Sequence, residues 1–301
     1  MIKTQKSNEI SIALADSGLG GMAIAADLAE RIKLNSAYKK VRLSFVDCRP
    51  ANVRSFDSIK TQAEKGRIFA DTLRFIKKSF KPDAILAICN TFSVLIDDST
   101  YEGIPLFGIV TPGSDLIEDF LLSTPDSQAI LFGAETTVVS GAHKKNLVAR
   151  GIEPFRMFYQ ACPGLAQCVE AGPGSPETLE TLRNCVKLAI DKLKDKDKPL
   201  AASLNCTQYG FIQEMFAKVF VENGIKPAAI LNPNQAMNSY FLSQIQSGGR
   251  FTAGISFEVF SHGNISDQEI NMLLPLLKPI SSRATEALKH IVNISDFSQF
   301  N

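Results

Sequence analysis

Short apolar runs alternate along the chain with longer stretches in which apolar positions recur every three or four residues. Ile10–Ala15, Val41–Val46, Ala84–Ile88, Ala129–Phe132, Phe155–Tyr159 and Leu200–Leu204 have strand length and are bounded by polar or turn residues. Between them, Gly21–Lys33, Thr61–Ser79 and Glu177–Lys194 carry the helical period. Ser175-Pro176-Glu177 predicts a helix start, with a serine cap, proline in the first position and an acid in the first turn. Ile270, Leu273, Leu274 and Leu277 recur at helical spacing and predict a core-facing stripe. The charge run Lys192–Lys198 reads as a solvated helix end. Strand followed by helix, repeated, predicts an α/β class with parallel sheets covered by helices on both faces. With 301 residues the prior is two domains, and Thr111-Pro112-Gly113, after the strand-like Phe107–Val110, reads as a crossing between them.

Two of the runs end in unexpected chemistry. Ile85–Ile88 runs into Cys89-Asn90-Thr91, and Leu200–Leu204 runs into Asn205-Cys206-Thr207. One buried cysteine at a strand end is ordinary packing. Two, about a domain apart and each followed closely by threonine, suggest a repeated arrangement. In open parallel sheets ligands bind beyond the carboxyl ends of the strands. A third polar strand end, Asp16-Ser17-Gly18-Leu19-Gly20-Gly21, opens a helix and offers backbone N–H groups to an anion such as a carboxylate. Asp16 there could hold an ammonium group or orient a neighbour. A rival reading stays open: Gly18-x-Gly20-x-x-Ala23 also fits a dinucleotide fingerprint, with Asp47 near the position of a ribose-binding acid.

Composition narrows the function classes. A formal net charge of +1, 45% hydrophobic and 21% charged residues describe a soluble globular chain with no basic stripe for nucleic acid or anionic lipid. No apolar run has the length of a membrane span, and the segment MIKTQKSNEI lacks a signal-peptide core, so a cytoplasmic location is expected. The six cysteines should then be reduced, and the absence of a Cys-x-x-Cys pair removes zinc-site spacing. Cys48, Cys162, Cys168 and Cys185 are read as packing residues, and His143 as structural.

The motifs together resemble those of the aspartate/glutamate racemase superfamily, with glutamate racemase as the closest branch. Asp16-Ser-Gly-Leu-Gly-Gly, Cys89-Asn-Thr and Asn205-Cys206-Thr-Gln-Tyr match its three signatures in order. Gly133-Ala-Glu-Thr-Thr137-Val-Val-Ser140 and Ala161-Cys162-Pro163, with Glu170 following, resemble two further segments. The resemblance runs from about Ile10 to Leu277. It implies two related α/β domains with a pseudo-twofold cleft, the first 1–110 plus 233–301 and the second 111–232. It implies racemisation of an acidic amino acid, glutamate first, with no cofactor and no metal, serving peptidoglycan synthesis. Cys89 and Cys206 would be the two acid/base groups, because inversion needs a base and an acid on opposite faces of the α-carbon. Asp16 would assist Cys89, and Glu170 would support Cys206. Ser17, Asn90, Thr91, Thr207, Gln208 and Arg54 would bind the substrate. The implied partner is a small amino acid or other carboxylate, not nucleic acid or a membrane; whether the chain forms a homodimer is left open.

Two departures bear on that picture. The family carries histidine where this chain has Gln208, and glutamine cannot exchange a proton as imidazole does. Its substrate loop after the second strand is replaced here by Asn52-Val53-Arg54. Racemisation of a different carboxylate, or a binding relative without turnover, therefore remain as alternatives.

Overall fold

The computed structural model describes residues 8–34, 36–53, 56–96, 99–245, 251–294 and 297. The chain divides into two α/β units, Met1–Gly108 with Met237–Asn301, and Ile109–Ala236.

The first unit is built on seven strands: β1 (Glu9–Asp16), β2 (Lys40–Asp47), β3 (Ala84–Ala87), β4 (Thr100–Tyr101), β5 (Ile104–Gly108), β10 (Gly254–Ser261) and β11 (Val292–Asn293). Their order is β11-β10-β2-β1-β3-β5-β4, parallel except for the β4/β5 pair. β1 sits between β2 and β3 and is buried from Ile10 onward, which explains its near-continuous apolar sequence. The chain steps from β1 to β2 on one side and returns to β3 on the other, so the carboxyl ends of β1 and β3 flank a topological switch point. Helix Gln62–Phe80 starts on Thr61, whose hydroxyl accepts from Glu64 N at 3.2 Å, and buries Ile68, Phe69, Leu73 and Ile76 at helical spacing. Phe69 stacks on Phe92 with ring centroids 4.6 Å apart. That contact packs the back of the segment carrying Cys89 and fixes its backbone.

The second unit holds β6 (Gln128–Gly133), β7 (Met157–Ala161), β8 (Leu200–Asn205) and β9 (Ala229–Leu231), all parallel, in the order β7-β6-β8-β9. Alternate residues of β6 feed two cores: Ile130 and Phe132 on one face, Ala129 and Leu131 on the other. Here too the chain leaves β6 to one side for β7 and returns to the other for β8. The switch point lies between the ends of β6 and β8, where Gly133 pairs with Asn205. The α/β class with a parallel sheet in each half, expected from the alternation of patterns, is the one observed.

Several local expectations are corrected. The run Phe155–Tyr159 is split: Pro154–Arg156 forms a 3-10 turn with Phe155 69% exposed, and the strand is Met157–Ala161. The Arg156 side chain holds that turn by donating to the carbonyls of Ser127 and Leu121. Thr111-Pro112-Gly113, expected as a crossing between domains, lies just after the division at Gly108/Ile109, in the first turn of helix Val110–Ser123, where proline costs no hydrogen bond. In helix Asp267–Leu277 only Leu277 is fully buried, so the expected stripe is half-exposed. No helix among the described residues is long and apolar enough to cross a membrane.

Candidate active site

In the first unit the site begins where β1 ends. Asp16 is fully buried, and its carboxylate accepts from its own loop: Ser17 N to Oδ1 at 2.8 Å and Gly21 N to Oδ2 at 2.5 Å. Two of the amides near the helix start, those of Ser17 and Gly21, are thus already taken by an internal carboxylate. A Cβ at Gly21 would meet Ile88 Cδ1 and come within 2.6 Å of Asp16 Oδ2, so glycine is required there by close packing. Asp47, the other acid of the dinucleotide reading, is also fully buried; it accepts from Arg49 N at 3.0 Å and from Ser261 Oγ at 3.1 Å. Asp47 is thus spent on groups inside the protein, which removes the ribose contact of that rival reading.

Burial pushes the Asp16 carboxyl up to about 7, against the pull of its two amide donors and the Cys89 thiol. Cys89 follows β3 by two residues and is 5% exposed. Its Sγ lies 3.1 Å from Ser17 Oγ. Burial, and then the charge of Asp16, push its thiol up to about 12. The pair is arranged so that a proton on Cys89 has a titratable carboxylate beside it. Asn90 is 2% exposed, yet neither its Nδ2 nor its Oδ1 has a hydrogen-bond partner. A buried unpaired amide group costs about 1–3 kcal/mol, which makes Asn90 a candidate for contact with a bound molecule. Thr91 is buried beside it. Cys48, by contrast, donates to the Asp16 carbonyl at 2.8 Å, and its thiol is raised well above the ordinary range by burial; it packs.

In the second unit Cys206 follows β8 and is 8% exposed. Its Sγ donates to Gln208 Oε1 at 2.9 Å, and Thr207 Oγ1 donates to the same oxygen at 3.0 Å. Gln208 Nε2 donates to Glu170 Oε1 at 2.7 Å. Glu170 stands on helix Leu165–Ala171, which follows β7. Glu170, Gln208, Thr207 and Cys206 therefore form one chain of contacts. Gln208, expected among the substrate-binding residues, spends both ends of its amide inside this chain.

Sequence reasoning missed some of the surroundings. Asn234 Nδ2 donates to the Thr207 carbonyl at 2.8 Å and fixes the turn after Cys206. Gly210 leaves room for it, since a Cβ there would lie 2.7 Å from Asn234 Nδ2. The signal was available: Asn232-Pro233-Asn234 is another polar end to a short apolar strand. Thr137 Oγ1 and His143 Nε2 are buried without partners and line a small cavity with Gly133 and Asn205. Burial lowers His143 to about 4, so its imidazole is neutral near pH 7. Arg54 lies outside the described residues.

No family model matches the chain. It is 24% identical over 267 residues to the glutamate racemase of Aliarcobacter butzleri, covering 88% of this chain and 90% of that protein. It is 29% identical over 202 residues to the glutamate racemase of Roseiflexus, covering 66% and 67%. Its fold matches the crystal structure of glutamate racemase from Francisella tularensis, solved in complex with D-glutamate, with a TM-score of 0.72 at 18% identity over 98% of this chain and 100% of that one. The chain is thus similar in sequence to glutamate racemases, and its α/β fold matches theirs.

Proposed function

We propose that the protein is a cofactor-independent racemase of an acidic amino acid, glutamate first, in which Cys89 and Cys206 act as the acid/base pair. The observation that carries this reading is the repetition: each unit ends a central strand, at its sheet's switch point, in a thiol with a hydroxyl beside it. In one direction Cys89 passes its proton to Asp16, and the thiolate takes the substrate's α-proton. The electron pair delocalises into the carboxylate, leaving a planar carbon. The Cys206 S–H then protonates the opposite face, and the sulfur keeps the pair as thiolate. The reverse reaction exchanges the two roles. Asn90, Thr91, Ser17 and Thr207 hold the substrate's carboxylate and amino group. The product enantiomer would supply peptidoglycan synthesis.

The test is incubation with L- and D-amino acids in D₂O, with chiral analysis and detection of α-deuterium. Inversion of glutamate with deuterium incorporation is expected. Cys89→Ser and Cys206→Ser should each lower inversion by about 10²–10⁴-fold, since the hydroxyl is a far weaker acid than the thiol. Near wild-type inversion by either folded variant would refute the two-thiol mechanism. The replaced loop at Asn52-Val53-Arg54 motivates a second reading, another carboxylate as substrate, which the same assay distinguishes with a panel of amino acids.

A further inference from the structure

The partner of Cys206 differs in kind from that of Cys89. Beside Cys89 stands a carboxylate that titrates near neutrality. Beside Cys206 stands an amide, whose orientation is fixed from behind. The Gln208 Nε2 amide donates to Glu170 Oε1 at 2.7 Å, which sets the orientation of the whole side-chain amide. That places Oε1 against Cys206 and Thr207, and an amide oxygen has no hydrogen to give. At 2.9 Å the shared hydrogen must therefore sit on sulfur. A thiolate in the same place would face the lone pairs of Oε1, and Thr207 already spends its hydrogen on that oxygen. An imidazole at position 208 could take the proton from sulfur and then donate to the thiolate; this amide can do neither.

We propose that Gln208, clamped by Glu170, is a positioning residue that holds Cys206 as a thiol, so that the resting protein presents Cys206 as proton donor and Cys89 as the thiol that must be ionised. The thiol state is argued from the Cys206–Gln208–Glu170 hydrogen bonds, whereas the donor role rests on the racemase reading above. The consequence is a directional asymmetry. Turnover of the enantiomer whose proton Cys206 must remove is slowed. Because two enantiomers are equal in energy, kcat/KM must be equal in both directions, so the asymmetry appears as unequal kcat values matched by unequal KM values.

The experiment is alkylation by iodoacetamide across a pH series, read separately at Cys89 and Cys206 by peptide mass mapping, with circular dichroism to establish folding. Gln208→His should move the Cys206 profile to lower pH by about one unit, a roughly tenfold faster reaction on the rising limb, while the Cys89 profile stays in place. Glu170→Gln is the second variant: it frees the 208 amide to turn its NH₂ towards sulfur and should move Cys206 the same way. A Cys206 profile unmoved in both folded variants, or one that moves together with Cys89, overturns the proposal. The measurement needs no substrate. A shifted profile in a protein that inverts no amino acid would support the thiol state and refute the racemase reading alone. If inversion occurs, Gln208→His should raise kcat for one enantiomer more than for the other. That enantiomer should be the one for which Cys206→Ser abolishes α-deuterium exchange. Equal effects on both directions would count against the proposal.

Discussion

At the scale of single residues, the chemistry was legible where it stood at strand ends and illegible where it depended on a partner far along the chain. Asp16, Cys89 and Cys206 could be picked out because polar strand ends recur in both halves of the chain, a repetition that packing alone does not call for. The role of Gln208 could not, because its amide is oriented by Glu170, which lies 38 residues earlier on another element. The state of Asp16 was equally hidden, since it follows from complete burial. Its carboxyl rises from 3.8 to about 7, so the folded protein binds that proton more tightly than the unfolded chain. The stability this confers is full below pH 3.8 and is lost as pH rises to about 7, on the order of 4 kcal/mol across the interval. Asp16→Asn cannot titrate and should lack this slope. Urea unfolding of both proteins between pH 4 and 8 should therefore show the wild type losing stability relative to the variant as pH rises, then levelling off. Parallel curves would mean that Asp16 keeps an ordinary carboxylate pKa. If Asp16 receives the Cys89 proton, wild-type turnover should also rise with pH through about 7, because only the ionised carboxylate can accept.

At the scale of elements, strands buried on both faces were readable and half-exposed ones were not. β1, β6 and β8 are near-continuous apolar runs and β2 is buried from Leu43 onward, whereas β10 alternates buried and exposed residues and β4 has only two residues. The turn from β1 into helix Met22–Lys33 is the element on which the first half of the site depends. Its glycines suggested a cradle for a ligand, but Gly21 makes room for the Asp16 side chain. Gly21→Ala would force a methyl group between Ile88 and the Asp16 carboxylate. Overpacking of this kind costs about 1–3 kcal/mol. Because the displaced atom is Asp16 Oδ2, activity should fall further than stability does. Gly66→Ala is the control, as a Cβ there meets nothing within 4 Å; alanine in a helix interior should be neutral or stabilising by up to about 1 kcal/mol. Retention of full activity by Gly21→Ala would show that the turn tolerates a shifted carboxylate.

At the scale of the whole molecule, the two units differ in how the chain builds them, and that difference predicts how each behaves alone. The second unit is continuous, Ile109–Ala236, with a complete four-stranded parallel sheet and apolar cores on both faces. It has the size at which a single domain buries enough surface to fold independently. The first unit is discontinuous. Its early portion, residues 1–108, lacks β10 and β11, which come from the end of the chain. Without them β2 becomes an edge strand, eight residues long, that in the full chain pairs with β10 from Lys40 to Asp47. A long unpaired strand edge is a template for aggregation. Residues 109–236 expressed alone should therefore give a monodisperse species on size exclusion and one cooperative transition in urea. Residues 1–108 should aggregate, and a fusion that joins them by a short flexible linker to residues 237–301 should restore solubility. A fragment 109–236 without a cooperative transition would mean that its cores are insufficient by themselves. Under the two-thiol mechanism proposed above, neither fragment should invert an amino acid, because Cys89 and Cys206 lie in different fragments.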